Sequence, residues 1–577
     1  MTTKRPDTAA PDPFVRRTLR ALERRRGDCA APTDAINRTF QDIVHQATGT
    51  QFAKDHGLSP RVRSLGEWKR TVPIRDYRGF EGYLEQLVSG RQGVLTKGRP
   101  YALLRTSGTS GRPKTVPTTR HWRSKYRGAA LYSQWGLYFE RIGLREITRD
   151  CVLDLSWTPT VPTVHRGALP LYNITQRPVP SGFEDWSPPW QDASWFSGPE
   201  NPETAGDGSY GLLRRLAGRG VRMIVSVNPS KMTSLADCLN TRADLLVRDI
   251  HDGTVHGSSA ADAPADRGLA RRLDAARRKR GSLLLTDLWP RLSLRVCWNS
   301  GSAALYQPWL DRIAPGTAQL PFSCTGTEGI VTIPVDGHAS AGPLAVDQGI
   351  FEFASWDDLD DGAPLAADAP TLEAHELETG GRYRLVMSQA NGLYRYDVGD
   401  VYEVAGWYGR TPRLEFLGRA GFQSSFTGEK LTDSDIHAAV CRALRVEPSD
   451  CPLFTCVPVW GEPPRYQIVV ELPTRTGHAG ATHLAARLDH ALRQVNIEYA
   501  EKRRSGRIAR TEVTVLGAGA FTTLANRRVA SGASPAQLKH QWLQKDSSLL
   551  SEIRSLFPHA ASTTVRDDSA PYREQAS

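Results

Sequence analysis

Cysteine is scarce in this chain: eight residues in 577, no C-x-x-C pair, and Cys451 and Cys456 as the closest two. That scarcity argues against a disulfide scaffold and for reduced, mostly buried thiols. No apolar run approaches the length needed to span a bilayer. The N-terminal stretch carries Lys4 and Arg5 but then Pro6, Asp7 and Pro11, so it has no apolar signal core. A cytoplasmic protein without a membrane partner is expected. No internal repeat is present, which excludes a solenoid. The kinase-type nucleotide loop G-x-x-x-x-G-K-[ST] is also missing.

What is present is ordinary in bulk. The chain is 40% hydrophobic and 23% charged, the balance of a globular protein long enough for two or more domains. The net charge of +11 raises the question of nucleic acid. Its basic clusters, Arg16 to Arg26, Arg271 to Arg280 and Lys502 to Arg510, interleave with apolar residues at helical or strand spacing. They read as solvated faces of ordinary elements, and no nucleic-acid partner is expected. A positive surface also helps to collect small anions.

Residues 1–12 and 558–577 read as disordered tails. Helical spacing covers Asp34 to Phe52 behind a Thr33/Asp34 cap, and again Arg78 to Val88. Trp122 to Phe139 reads as an aromatic-rich helix, residues 181–208 as a long loop and 252–268 as a flexible insertion. Short strands are expected at Arg222 to Val227, with a helix beginning at Asn228-Pro229-Ser230, and at Leu294 to Trp298, Gly349 to Phe353 and Arg382 to Met387. Strands alternating with helices imply an α/β domain with helix-covered sheets. A smaller α+β unit follows Arg419.

The chemistry concentrates at Thr106-Ser107-Gly108-Thr109-Ser110-Gly111-Arg112-Pro113-Lys114. Extended pieces, Tyr101 to Leu104 and Thr115 to Pro117, flank it. Glycines let the backbone approach an anion, hydroxyls and successive N–H groups donate to oxygens, and a lysine adds charge. A mobile connector is the plain alternative. Three further segments join it: Asn299 to Tyr306 after a strand end, Cys324-Thr325-Gly326-Thr327-Glu328-Gly329, and Gly392-Leu393-Tyr394-Arg395-Tyr396-Asp397-Val398-Gly399-Asp400.

Together these segments resemble the motifs of adenylate-forming, acyl-activating enzymes, and within them the acyl-acid amido synthetases of the auxin-responsive-promoter (Gretchen Hagen) family. The resemblance runs from about Thr33 to about Lys545. It implies a large N-terminal adenylate-forming domain over 13–418 and a small mobile α+β domain over 419–557. It implies ATP held by Thr106, Ser107, Gly108, Thr109, Ser110, Gly111, Gly301, Ser302, Thr325, Gly326 and Thr327. Asp400 would accept the ribose hydroxyls, and Arg419 and Lys430 would contact ribose or phosphate. Glu328 would hold Mg²⁺, a hard cation that prefers oxygen. Lys114, Lys430 and Lys539 would be the catalytic cations, with Lys545 as the alternative to Lys539. The helix from Trp122 would line an acyl pocket, with Tyr126, Tyr132 and Gln134 as candidates; plain core packing explains it equally well. The sequence departs from the family pattern in two places: Cys324 replaces a common aromatic, with Gly326 and Thr327 where two serines are usual, and Asp397 stands where many plant members have a basic residue.

The implied reaction has two steps. A carboxylate attacks the α-phosphorus of ATP, giving an acyl-adenylate and pyrophosphate. An amine or amino acid then displaces AMP. No nucleophilic side chain is required, so Cys324 and the histidines stay off the catalytic list. An acyl-CoA ligase and a catalytically silent nucleotide binder remain as alternatives. Arg419-Ala420-Gly421-Phe422 lacks the longer hinge segment of many CoA ligases. A monomer is the expectation from the family.

Overall fold

The run Pro100–Arg105 is a strand, and its side chains explain why: Ala102 and Leu103 are buried. It pairs antiparallel with Thr115–Thr119 and parallel with Leu169–Asn173. The computed structural model describes residues 13–106, 114–144, 147–148, 150–156, 164–173, 208–356, 363–420, 426, 429, 431–473, 477–530, 539–544 and 547–563. The loop 181–208 expected from the sequence lies outside these, apart from the first helical residue, Gly208. So do the tails, save that residues 558–563 are described and end in a short strand, Ala561–Ser562. Two compact units divide the chain: Met1–Ala420 with Ala533–Lys539, and Gly421–Gly532 with His540–Ser577. Among the described residues no helix is long and apolar enough to cross a membrane.

The first unit holds three main sheets. One is the four-stranded sheet around Pro100–Arg105. A second is all parallel, in the order Ala318–Pro321, Leu294–Cys297, Met223–Val225, Val152–Asp154. Its strands are short and apolar because helices cover it. The third is antiparallel and five-stranded, with Tyr396–Tyr408 at its centre between Thr411–Arg419 and Arg382–Ser388. The mixed α/β class read from the sequence is observed.

Local differences have physical reasons. The helix Thr33–Ala47 begins after Pro32, whose φ of −75° is already helical, and no side chain caps it; the Thr33/Asp34 cap is not formed. The segment 252–268 is not a loose insertion. A small hairpin, Thr254–Val255 with Ser258–Ser259, folds over the Asp249 carboxylate, which accepts from Thr254 Oγ1, His256 N and Gly257 N. The Trp122 helix opens as a π-helix, Trp122–Gly128, and continues as an α-helix, Ala129–Ile142.

The basic clusters are mostly solvated, as their sequence implies, with Arg25 as a buried exception. In the helix Pro13–Ala30, Arg25 is buried, pairs with Asp347 at 2.6 Å and donates to Ser133 Oγ at 2.7 Å. Gly136 lets this helix lie against Ala129–Ile142, since a Cβ there would meet Thr18 O at 2.4 Å. In the helix Arg267–Arg280, Arg277 pairs with Asp244 and Arg278 with Asp274, both at 2.7 Å.

The second unit is a four-stranded sheet, Phe454–Val459, Arg465–Glu471, Glu512–Leu516, Ala561–Ser562. The helices His478–Val495 and Ile497–Arg504 cross between its two parallel strands. Asp489 fixes that crossover by accepting from Tyr499 OH, Arg503 Nε and Thr511 N.

Candidate active site

The stem of the Gly/Ser/Thr loop is closed by its own ends. Thr106 N donates to Lys114 O, and Lys114 N donates to Thr106 Oγ1, each at 2.9 Å. Ser107, Gly108, Thr109, Ser110 and Gly111 lie outside the described residues. At the stem, Lys114 Nζ donates to Tyr396 OH at 3.0 Å. Burial lowers the Lys114 pKa, Glu328 and Asp400 raise it, and Arg419 lowers it. The loop lysine therefore shares one electrostatic environment with three residues far away in sequence.

Asp400 and Arg419 face each other across the antiparallel strands Tyr396–Tyr408 and Thr411–Arg419. Arg419 Nε donates to Asp400 Oδ1 at 2.7 Å. The Asp400 carboxylate holds the guanidinium above its ordinary range. The nineteen-residue spacing between them is the length of the hairpin that carries both.

Within Cys324–Gly329 the two glycines have separate reasons. A Cβ at Gly326 would meet Glu328 Oε2 at 2.7 Å, and one at Gly329 would meet the Gln389 amide at 2.7 Å. Glu328 is buried, and its backbone oxygen accepts from Asn391 Nδ2 at 2.9 Å. Arg127 Nη1 donates to Gly326 O at 3.2 Å. Burial lowers the Arg127 pKa, with Glu328 opposing. The Glu328 carboxylate is the kind of oxygen donor a hard divalent cation takes, whereas the neighbouring cations suit the phosphate that would share it.

Lys539 Nζ lies 3.5 Å from the centroid of the Trp298 ring, a cation–π arrangement. Its pKa is lowered to about 8, chiefly by burial and then by the Arg419 charge, with Cys324 and Asp400 opposing. Lys430 and Lys545 lie outside the described residues, so Lys539 is the C-terminal candidate whose surroundings are on view. Gly301 takes φ +56°, and a Cβ there would sit 3.3 Å from Leu417 O and from Phe416; the turn thus abuts the Arg419 strand. Ser302 is exposed, Thr325 half-buried and Thr327 buried.

The aromatic-helix candidates separate. The Tyr126 hydroxyl donates to Asp42, which also takes His121 Nε2 at 2.7 Å and Lys125 Nζ at 2.8 Å. Tyr132 lies under Arg17, 4.1 Å from guanidinium to ring. Gln134 points elsewhere: its Oε1 accepts from Ser323 N at 3.2 Å, next to the Cys324 turn. Its Nε2 is buried without a hydrogen-bond partner.

Sequence reasoning passed over Arg127, Trp298, Tyr396 and Gln389. Tyr396 was in plain view inside the Tyr394–Asp400 signature, and Trp298 ends the run before Asn299. Arg127 and Gln389 had no local signal. The Asp397 departure has a structural explanation. Its carboxylate takes Arg384 Nε at 2.9 Å and Nη2 at 2.6 Å, a buried bidentate pair within the sheet. Cys324 Sγ lies 3.2 Å from Tyr402 OH, and burial pushes its thiol up to about 12.

The fold is that of acyl acid amido synthetases. The solved structure of AtGH3.15 acyl acid amido synthetase in complex with 2,4-DB matches with a TM-score of 0.74 at 17% identity, covering 98% of this chain and 100% of that one. The GH3 family N-terminal domain matches residues 21–319, the central domain 342–419 and the C-terminal domain 434–548. The chain belongs to the GH3 family. A probable indole-3-acetic acid-amido synthetase, GH3.2, of Oryza sativa subsp. japonica is 24% identical over 561 residues, 88% of this chain and 87% of the relative. Another from the same organism, GH3.12, is 27% identical over 286 residues. That match spans about half of the relative, 47%, and 44% of this chain. These relatives are amido synthetases, which puts the chain among amide-forming ligases.

Proposed function

We propose that the protein is an ATP-dependent acid–amine ligase, activating a carboxylic acid as its acyl-adenylate and passing the acyl group to an amine or amino acid. One observation supports the reading: the strand Tyr396–Tyr408 meets Lys114 of the Gly/Ser/Thr loop at Tyr396 OH (3.0 Å) and Arg419 at Asp400 Oδ1 (2.7 Å), which brings three separate segments to one place.

In this reading Ser107 to Gly111 and Lys114 hold the triphosphate, Asp400 accepts from the ribose, and Arg419 and Lys430 lie along the nucleotide. Gly301, Ser302 and Thr325 to Thr327 border the base and phosphates. Glu328 would hold Mg²⁺, which offsets phosphate charge when bound. Lys539 approaches the reacting carboxylate. Charge grows on the transferred phosphoryl group and the departing pyrophosphate, so fixed cations lower the barrier. The hairpin supports this by setting Arg419 opposite Asp400, 2.7 Å apart. Gln134 is the candidate whose orphan N–H₂ group suits a substrate acceptor atom.

The test is pyrophosphate release from ATP and Mg²⁺ with a panel of aryl and alkyl acids, then parallel addition of amines and coenzyme A. Amide products with AMP are expected. Silence with every acid, or a thioester as the sole product, would overturn the assignment.

A further inference from the structure

Away from these motifs, the second unit contains an unused cluster. His437 and Cys441 stand four residues apart on the helix Asp433–Leu444, so they share one face. Cys451 follows the short 3-10 turn Pro448–Asp450. One ligand atom from each of His437, Cys441 and Cys451 lies within 4.8 Å of the others. Cys441 Sγ is 3.8 Å from His437 Nδ1 and 3.9 Å from Nε2. Ligands bound at zinc distances in a tetrahedron stand about 3.5–3.8 Å apart. We propose that His437, Cys441 and Cys451 form a three-ligand site for a borderline-soft divalent cation of the zinc class, with a fourth position open.

The rival for two neighbouring cysteines is a disulfide, and the histidine decides between them. His437 is 8% exposed, and Cys441 is the polar partner of its ring. Oxidising that sulfur to a disulfide would leave a buried imidazole with no good acceptor or donor, a costly arrangement. A cation satisfies the ring nitrogen and both sulfurs together. The surroundings are apolar: the rings of Phe454 and Trp542 lie 6.1 Å and 6.3 Å from the imidazole. Such a shell strengthens ligand–metal attraction and keeps water from competing.

The full-length protein should be purified without a metal-chelating resin, stripped with chelator under reducing conditions, and titrated with Zn²⁺ and with Co²⁺ alone. Expected are about one equivalent of metal per chain and a thiolate-to-cobalt charge-transfer band. Cys441→Ser and Cys451→Ser should each abolish the band, whereas Cys456→Ser, at a buried cysteine outside the trio, should keep it. Because a serine variant can misfold, the wild-type chain supplies an independent readout: Zn²⁺ should protect Cys441 and Cys451 from alkylation, mapped by peptide mass spectrometry. No cobalt band and no protection in the wild type would overturn the site. So would a Cys441–Cys451 disulfide recovered from the native protein.

Discussion

Raising the pH through the titration of Lys539 should shut down acid activation, with a slope set by that one side chain. Burial beside Trp298 and the nearby Arg419 charge bring its pKa from 10.5 to about 8. The cation is the form that can stabilise growing negative charge, so activity belongs to the low-pH side and is lost as pH rises. With a pKa of about 8, the charged fraction falls from roughly 0.9 at pH 7 to roughly 0.1 at pH 9. The kcat/KM for ATP, which reports the free enzyme, should therefore drop about tenfold across that interval. Bound phosphates add negative charge and raise the lysine pKa, so the fall in kcat should begin at higher pH. The assay is ATP–pyrophosphate exchange with acid but no amine, which keeps titration of the amine substrate out of the profile. Lys539→Arg keeps a cation at all these pH values and should remove the alkaline limb, even at reduced absolute rate. Lys539→Met should slow exchange about a hundredfold and leave a flat profile. A flat wild-type curve, or an unchanged alkaline limb in Lys539→Met, would refute the role given to this lysine.

Four further outcomes are expected. Asp400→Ala should raise the apparent KM for ATP by the equivalent of roughly 2–3 kcal/mol, the scale for stranding buried hydrogen-bond partners; an unchanged KM removes Asp400 from the nucleotide site. Gly326→Ala places a methyl 2.7 Å from Glu328 Oε2 and should raise the Mg²⁺ needed for half-maximal rate about tenfold, with denaturant stability held; unaltered Mg²⁺ dependence counts against Glu328. Glu352→Ala breaks the 2.8 Å pair with Arg395, whose side chains are 1% and 2% exposed, and should cost about 3–5 kcal/mol in denaturant unfolding; an unmoved midpoint contradicts it. Cys324→Ala should change turnover less than about threefold, because a thiol at about 12 stays protonated at neutral pH; a loss beyond about a hundredfold would put Cys324 on the catalytic list.

Much of the architecture was legible because its signals are local. Pro100–Arg105, Leu294–Cys297 and Arg382–Ser388 are apolar runs bounded by turn residues, and Arg78–Val88 keeps a helical apolar stripe. The failures are equally physical. The Thr33/Asp34 cap lost to a proline already in helical conformation. The segment 252–268 looked loose because its composition is polar, yet one carboxylate, Asp249, ties it down through three hydrogen bonds. Arg25 looked solvated because composition cannot reveal that Asp347 waits 322 residues away. The His437–Cys441–Cys451 trio was hidden for the same reason: sequence proximity pointed to Cys451 and Cys456, whereas the helix turn brings Cys441 into reach.

The Tyr394–Asp400 signature shows why a motif overstates the number of residues doing chemistry. Tyr394 OH donates to Leu95 O at 2.7 Å, and Arg395, held at φ +43°, is consumed by Glu352. Asp397 is consumed by Arg384. Only Tyr396 and Asp400 turn toward Lys114 and Arg419. The others anchor the strand so that those two arrive in register. Asp397 also accepts from Gly399 N at 3.0 Å, so a basic residue at that position would forfeit a backbone partner as well as the Arg384 pair, whereas Asp400 is left facing Arg419 at the end of the strand.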